Sequence, residues 1–230
     1  MLDPVREGRN GGAMARGGDG DVRFIDRADA GRRLAVVVAD LVHGDAVVLG
    51  VPRGGVVVAV PVAASLSAPL DVVVPKKLSA PDNPELGIGA VAPGVRVLDE
   101  RLIARLGVSE RYLDDEIERE ETEIARRTAL YRGLRPPAAL AGRIAVVVDD
   151  GVATGGTAQA ALAWARAAGA ATVVFAAPVA PPETFIALEA ACDLVVVLVQ
   201  PRRFIAVGQW YERFDQVTDE EVRAALAGSG

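Results

Sequence analysis

The sequence predicts an α/β fold in which a parallel sheet is covered by helices on both faces, and three observations carry that expectation. Short Val-rich runs without polar alternation recur along the chain, as strands buried on both faces require. Apolar or amphipathic stretches of helical length separate them, which is the rhythm of βαβ units. The 230 residues are 51% hydrophobic, ample for the core of one such domain.

The elements follow in chain order. Residues 1–20 are Gly-rich and charged and predict a disordered tail, with Met14 as an alternative start of translation. The domain is expected over 21–220. A helix over 28–43, ending at His43 before Gly44, leads to a strand over 46–52, a helix over 55–67 and a strand over 71–75. The next stretch, 76–92, is polar and punctuated by Pro81, Pro84, Gly87 and Gly89, which predicts irregular structure, with a hairpin-like region near 87–98. Residues 109–132 are densely charged, with a narrow apolar series at Leu113, Ile117, Ile124 and Tyr131. They predict an inserted surface helix that packs one stripe on its own domain or on a second subunit, with Asp115–Arg119 and Glu123–Arg127 at pairing distance. Its acids read as a solvated face rather than a metal site. Arg135-Pro136-Pro137 stops it. A strand over 143–149, a helix over 156–168, a strand over 171–177, a helix over 181–191 and a strand over 193–199 complete the sheet.

Composition excludes several classes. The single cysteine, Cys192, rules out an intramolecular disulfide and reads as a buried, unreactive thiol. A single histidine leaves no material for a His-based zinc site or a Ser-His-Asp triad. The net charge of −6 and the lack of a dense basic run argue against nucleic acid or an anionic membrane as partner. Every long apolar stretch is interrupted, so no membrane span is expected and a cytoplasmic location is.

The chemistry concentrates where the strand 144–148 runs into Asp149-Asp150-Gly151-Val152-Ala153-Thr154-Gly155-Gly156-Thr157. Backbone N–H groups of such a Gly- and Thr-rich turn can converge on a phosphate, and the following helix adds its positive end. Carboxylates repel phosphate but accept hydrogen bonds from vicinal hydroxyls, so Asp149 and Asp150 beside the turn suggest a ribose phosphate. A nucleotide triphosphatase loop is excluded: Thr157 stands where its lysine belongs and Ala158 where its magnesium-binding hydroxyl belongs. A dinucleotide fingerprint fails too, since the acids precede the glycines.

The hydrophobic run ending in Asp149-Asp150, followed by Val152 to Thr157, resembles the signature of the type I phosphoribosyltransferases. In that family the two acids hold the ribose hydroxyls of phosphoribosyl pyrophosphate (PRPP) and the loop wraps the 5′-phosphate. Gly151 departs mildly from the usual aliphatic residue. Arg53-Gly54-Gly55, after the apolar strand ending at Pro52, resembles the pyrophosphate loop, where a cis peptide near Pro52-Arg53-Gly54 is implied. The segment 76–92 lies where the family has its catalytic lid, so Lys76 and Lys77 are candidates to bind PRPP and to neutralise the departing pyrophosphate, with solvated lysines as the alternative. The family's terminal segments form a hood over the acceptor. Phe204, Trp210 or Tyr211, followed by Phe214, could stack on a base there or could anchor the C-terminal segment over 200–220, with 22–33 as the hood's other half.

The resemblance implies transfer of ribose 5-phosphate from PRPP to a nitrogen acceptor with release of pyrophosphate. Mg²⁺ is the implied cofactor, held mainly by PRPP, with Asp149 or Asp150 assisting and no direct protein metal site. A homodimer is compatible with it. The alternative is a non-catalytic PRPP- or nucleotide-binding regulator. Ala153 to Thr157 resembles the adenine transferases, but Arg53-Gly54-Gly55 and the 109–132 helix fit them less well. Over about 22–220 the chain instead resembles uncharacterised bacterial phosphoribosyltransferase-domain proteins, whose membership names no acceptor.

Overall fold

The computed structural model describes residues 13–14 and 23–228. The chain begins with β1 (Ala13–Met14), α1 (Arg27–Leu41), β2 (Ala46–Gly50), α2 (Gly54–Leu66) and β3 (Leu70–Val72). An arm follows, made of β4 (Lys76–Ala80), β5 (Asn83–Ala92) and β6 (Val95–Leu98), then α3 (Glu100–Leu106) and α4 (Glu110–Arg132). The remainder is β7 (Ile144–Val148), α5 (Gly156–Ala167), β8 (Thr172–Val179), α6 (Pro182–Glu189), β9 (Leu194–Val199) and α7 (Asp219–Ala227). The main sheet is parallel, in the order β1-β9-β8-β7-β2-β3. The tail expected over 1–20 lies outside the described residues except for Ala13 and Met14, which run beside Val196 and Val197 of β9.

Alternation along the strands distributes the core. All five residues of β2 and of β7 are buried. Val48 packs with Val38 and Val62 on the face covered by α1 and α2, whereas Val47 and Leu49 pack with Leu162, Phe175 and Leu188 on the face covered by α5 and α6. Each such valine or leucine contributes roughly 1.5–3 kcal/mol through burial, which is why these runs cannot alternate with polar residues. Asp26 caps α1 by accepting the Asp29 N–H at 2.9 Å. Gly31 lets α1 lie close on α2: a Cβ there would meet Pro61 Cγ and Val58 O at 2.6 Å.

The stretch 76–92 is not irregular. β4 and β5 pair antiparallel from Lys76↔Val91 to Ala80↔Asn83, with register irregularities around Ser79, and β6 continues the small sheet. Pro81 and Asp82 turn the hairpin tip, and their punctuation masked the strands on either side.

Helix α4 packs on its own domain. Ser109 caps it, and Gly133, at φ +60°, ends it before Arg135-Pro136-Pro137 is reached. Ile117, Ile124 and Tyr131 are buried as the stripe predicts. Glu123 pairs with Arg127 as expected and also with Arg126, and these two hold its carboxyl down at about 2. Arg119 pairs instead with Glu116 at 2.6 Å and Glu120 at 3.1 Å rather than with Asp115, because Glu116 is the acid turned inward, where it also accepts the Ser79 N–H. At the far end Arg132 makes a two-pronged ion pair with buried Asp71 at the end of the sheet, 3.1 Å on each prong. Among the described residues no helix is long and apolar enough to cross a membrane.

Cys192 is half-buried, its Sγ 3.2 Å from Leu188 O and 3.3 Å from Leu194 O. Burial pushes its thiol up to about 11. Alkylation by iodoacetamide at pH 8 is therefore expected to be about a hundredfold slower than for a free thiol, since only the thiolate reacts. A rate equal to that of the unfolded chain would contradict the packing.

Candidate active site

β2 and β7 lie side by side, Gly50 beside Val148, and the chain leaves them in opposite directions across the sheet. Ligands of open parallel sheets bind at such a switch, outside the carboxyl ends of the strands. Two loops distant in sequence meet there. The Pro52–Arg53 peptide is cis, as the resemblance implies, and α2 starts at Gly54. Space dictates both glycines: a Cβ on Gly54 would run into the Asp150 carboxylate, and one on Gly55 would lie 2.7 Å from Val148 O and 2.8 Å from Asp149 Cα. Arg53, Gly54, Asp149 and Asp150 line one cavity of about 400 Å³, together with Arg27, Pro52, Phe214, Gln216 and Val217.

The two acids differ in their surroundings. Asp149 Oδ1 accepts the Asp150 N–H at 2.8 Å. Desolvation first, and then the charge of Asp150, raises the Asp149 carboxyl well above the usual carboxylate range. Asp150 Oδ2 takes the Nε–H of Arg27 at 2.6 Å. The Tyr211 hydroxyl donates to the Asp150 carbonyl at 2.5 Å, and burial of the phenol pushes its pKa up, which keeps it a donor. A pair so arranged can accept hydroxyl hydrogens while remaining partly neutralised by a fixed cation.

The 151–157 turn combines a left-handed glycine with two exposed residues. Gly155, at φ +83°, opens α5, whose first residue is Gly156. Thr184 Oγ1 donates to the Ala153 carbonyl, while Ala153 and Thr154 are exposed and Val152 is buried. Gly151 departs from the aliphatic residue usual in the family for a visible reason: a Cβ would lie 2.5 Å from Val207 Cγ1, so an aliphatic group from the C-terminal segment fills the space instead.

Thr154, Gly156 and Thr157 line a second, larger cleft of about 970 Å³, facing the arm, together with Lys77 and Gly87. Neighbouring residues on a strand point to opposite sides, and this separates the two lysines. Lys77 turns to the cleft, its Nζ 3.4 Å from Glu85 O, whereas Lys76 Nζ pairs with Glu120 of α4 at 3.3 Å. Lys76 is thus an anchor between arm and helix, and Lys77 is the lysine that shares a cleft with the 151–157 turn.

Among the aromatic candidates Tyr211 is buried, its ring 5.5 Å from that of Phe24 and 4.9 Å from that of Phe214. Phe204 and Trp210 pack partly against the core. None of these three lines the cavity of the acids; the ring that does is Phe214. The two halves expected for the hood do meet. Phe24 N–H donates to Trp210 O at 2.8 Å, and Glu212 N–H to Phe24 O at 2.8 Å. Arg27, Gln216 and Val217 were not legible as site residues: Arg27 lies 123 residues from its partner Asp150, and no local pattern marks such a pair.

Comparison with known proteins agrees with this geometry. The family model described as phosphoribosyl transferase domain matches residues 27–205. Two Mycobacterium tuberculosis proteins provisionally named phosphoribosyl transferases are 47% identical over 204 residues, which cover 88% of this chain and 46% of theirs, so the chain spans about half the length of these curated relatives. The crystal structure of the Thermus thermophilus protein TT1426 superposes with a TM-score of 0.78 at 46% identity, covering 90% of this chain and 98% of that one. With its acid pair, Gly- and Thr-rich turn and Arg-Gly-Gly loop gathered at one sheet edge, the chain belongs to the phosphoribosyl transferase domain family.

Proposed function

We propose that the protein transfers ribose 5-phosphate from PRPP to a nitrogen atom of a small planar acceptor, a nucleobase being the natural class, and releases pyrophosphate. The observation that carries this reading is the meeting of Asp149 and Asp150 with Arg53 and Gly54 around one cavity, with the 151–157 turn continuous with the acids. Asp149 and Asp150 accept the 2′ and 3′ hydroxyls. The turn from Val152 to Thr157 and the first N–H groups of α5 take the 5′-phosphate. Arg53 grips the pyrophosphate, and Lys77 offsets the charge it gains on leaving. The acceptor lone pair forms the new bond to C1 as the C1–O bond to pyrophosphate breaks, the pyrophosphate keeps the electron pair, and the acceptor's proton passes to solvent. Positive charge develops on the ribose, and Asp149 and Asp150 stabilise it at short range.

Among the described residues no trio of His, Cys, Asp or Glu is grouped to hold a metal ion. Mg²⁺ would be bound chiefly by PRPP oxygens, with Asp149 or Asp150 reaching it through hydroxyls or water, and it would supply charge neutralisation at the pyrophosphate. A cytoplasmic homodimer without nucleic-acid contacts accompanies this reading. Calorimetric titration with PRPP and Mg²⁺, followed by a pyrophosphate-release screen over purine and pyrimidine bases, tests it. Binding with base-dependent release is expected. Binding without release in any base would favour the regulator, and no binding would remove the PRPP assignment.

A further inference from the structure

Arg27 belongs to none of the ligand loops, yet it is held on three sides at the acid pair. Its Nε donates to Asp150 Oδ2 at 2.6 Å, its Nη1 donates to the Asp215 carbonyl at 2.7 Å, and its guanidinium carbon lies 3.8 Å from the Phe214 ring centroid. The Arg27 and Asp150 side chains are only 12% and 15% exposed. The residues that hold it from the C-terminal side, Phe214 and Asp215, lie beyond the 27–205 region that matches the family model.

Arg27 could compete with ribose for Asp150 or cooperate with it, and the geometry favours cooperation. A carboxylate has about four acceptor positions, so one guanidinium N–H leaves room for hydroxyl donors. Expelling Arg27 would strand a largely buried cation without its counter-ion, whereas sharing Asp150 costs nothing of that kind. Building on the PRPP reading above, we infer that Arg27 is a positioning residue that keeps its grip on Asp150 while ribose binds. It fixes the direction of the carboxylate and ties it to the C-terminal segment, so that the hood and the ribose site are ordered together.

The test compares Arg27→Met and Arg27→Lys with the unaltered protein, titrating PRPP, ribose 5-phosphate and pyrophosphate separately in the presence of Mg²⁺. Arg27→Met is expected to weaken PRPP and ribose 5-phosphate by about 10- to 100-fold, as for loss of a charge-assisted hydrogen bond, while pyrophosphate binds as before. Arg27→Lys, which keeps the charge, is expected to recover part of the loss. Phe214→Leu serves as a second variant that leaves the ion pair in place and is expected to give a smaller loss with the same ligand pattern, even if Arg27→Met folds poorly. Unchanged or tighter PRPP binding in Arg27→Met would overturn the inference while leaving the PRPP reading intact. An equal loss for all three ligands would also overturn it, since a merely structural role predicts that. An unaltered protein that binds neither PRPP nor ribose 5-phosphate would overturn both.

Discussion

Changing Asp149 and Asp150 together to asparagine is expected to weaken PRPP binding by about 3 kcal/mol, roughly a hundredfold. Asparagine keeps the shape and one acceptor but loses the charge-assisted hydrogen bonds to the two hydroxyls. Removing two negative charges also relieves repulsion of the phosphates, but that effect acts at longer range and is screened by salt, so the lost hydroxyl contacts dominate. Stability moves the other way for one of the acids. The folded chain holds the Asp149 proton more tightly than the unfolded chain does, so its contribution to stability is lost as pH rises from the ordinary aspartate value of 3.8 through the raised one. Burial disfavours the charged form of Asp149, which opposes folding wherever that form prevails. The single variant Asp149→Asn is therefore expected to melt at a higher temperature than the unaltered protein while binding PRPP less well, a trade-off common at binding sites. Calorimetry and thermal melting on the same samples check both signs, and undiminished affinity in the double variant would sink the ribose assignment.

The largest effect on stability is expected at Arg132→Met, a loss of about 3–5 kcal/mol. Asp71 is 6% exposed, and Arg132 is its only cationic partner among the described ion pairs. The carboxylate also accepts the Val72 N–H at 2.7 Å and the Ala138 N–H at 2.8 Å, so it is fully engaged where it sits and cannot turn to water. Removing the guanidinium leaves that charge buried. Adding Asp71→Asn to Arg132→Met should restore part of the loss, because the amide oxygen still accepts one N–H without a charge to compensate. Chemical denaturation measures the difference, and a cost below about 1 kcal/mol for the single variant would show the pair to be as weak as a surface one.

Legibility in the sequence followed distance along the chain. Asp149 to Thr157 is local, and its glycines and acids announce their chemistry within nine consecutive residues. Buried strands such as Ile144–Val148 are equally plain, since an unbroken apolar run has few other uses. The arm was hidden because Pro81, Pro84 and Gly87 look like loop residues, although one hairpin uses all of them. Recognising β4 as a strand would have separated Lys76 from Lys77 by simple alternation. Two short helices were overlooked despite signals: Asp99 and Gly107 bracket α3, and Thr218 with Glu221 forms the capping box of α7. Arg27 had no such signal, and Phe214 had only its place in the C-terminal aromatic cluster. Their roles exist only once Asp150 and the C-terminal segment have been brought together by the fold.

Asp150 is held at its carbonyl by Tyr211 and at its carboxylate by Arg27, which itself leans on Phe214 and Asp215. During synthesis from the N-terminus, Arg27 precedes Asp150 by more than a hundred residues, whereas Tyr211, Phe214 and Asp215 follow it by about sixty. A nascent chain ending near residue 200 would carry the acids, the 151–157 turn and Arg53-Gly54-Gly55 and still lack Tyr211, Phe214 and Asp215 around Asp150. The acid pair is thus completed by residues far from it in sequence on both sides, Arg27 before it and Tyr211 to Asp215 after it.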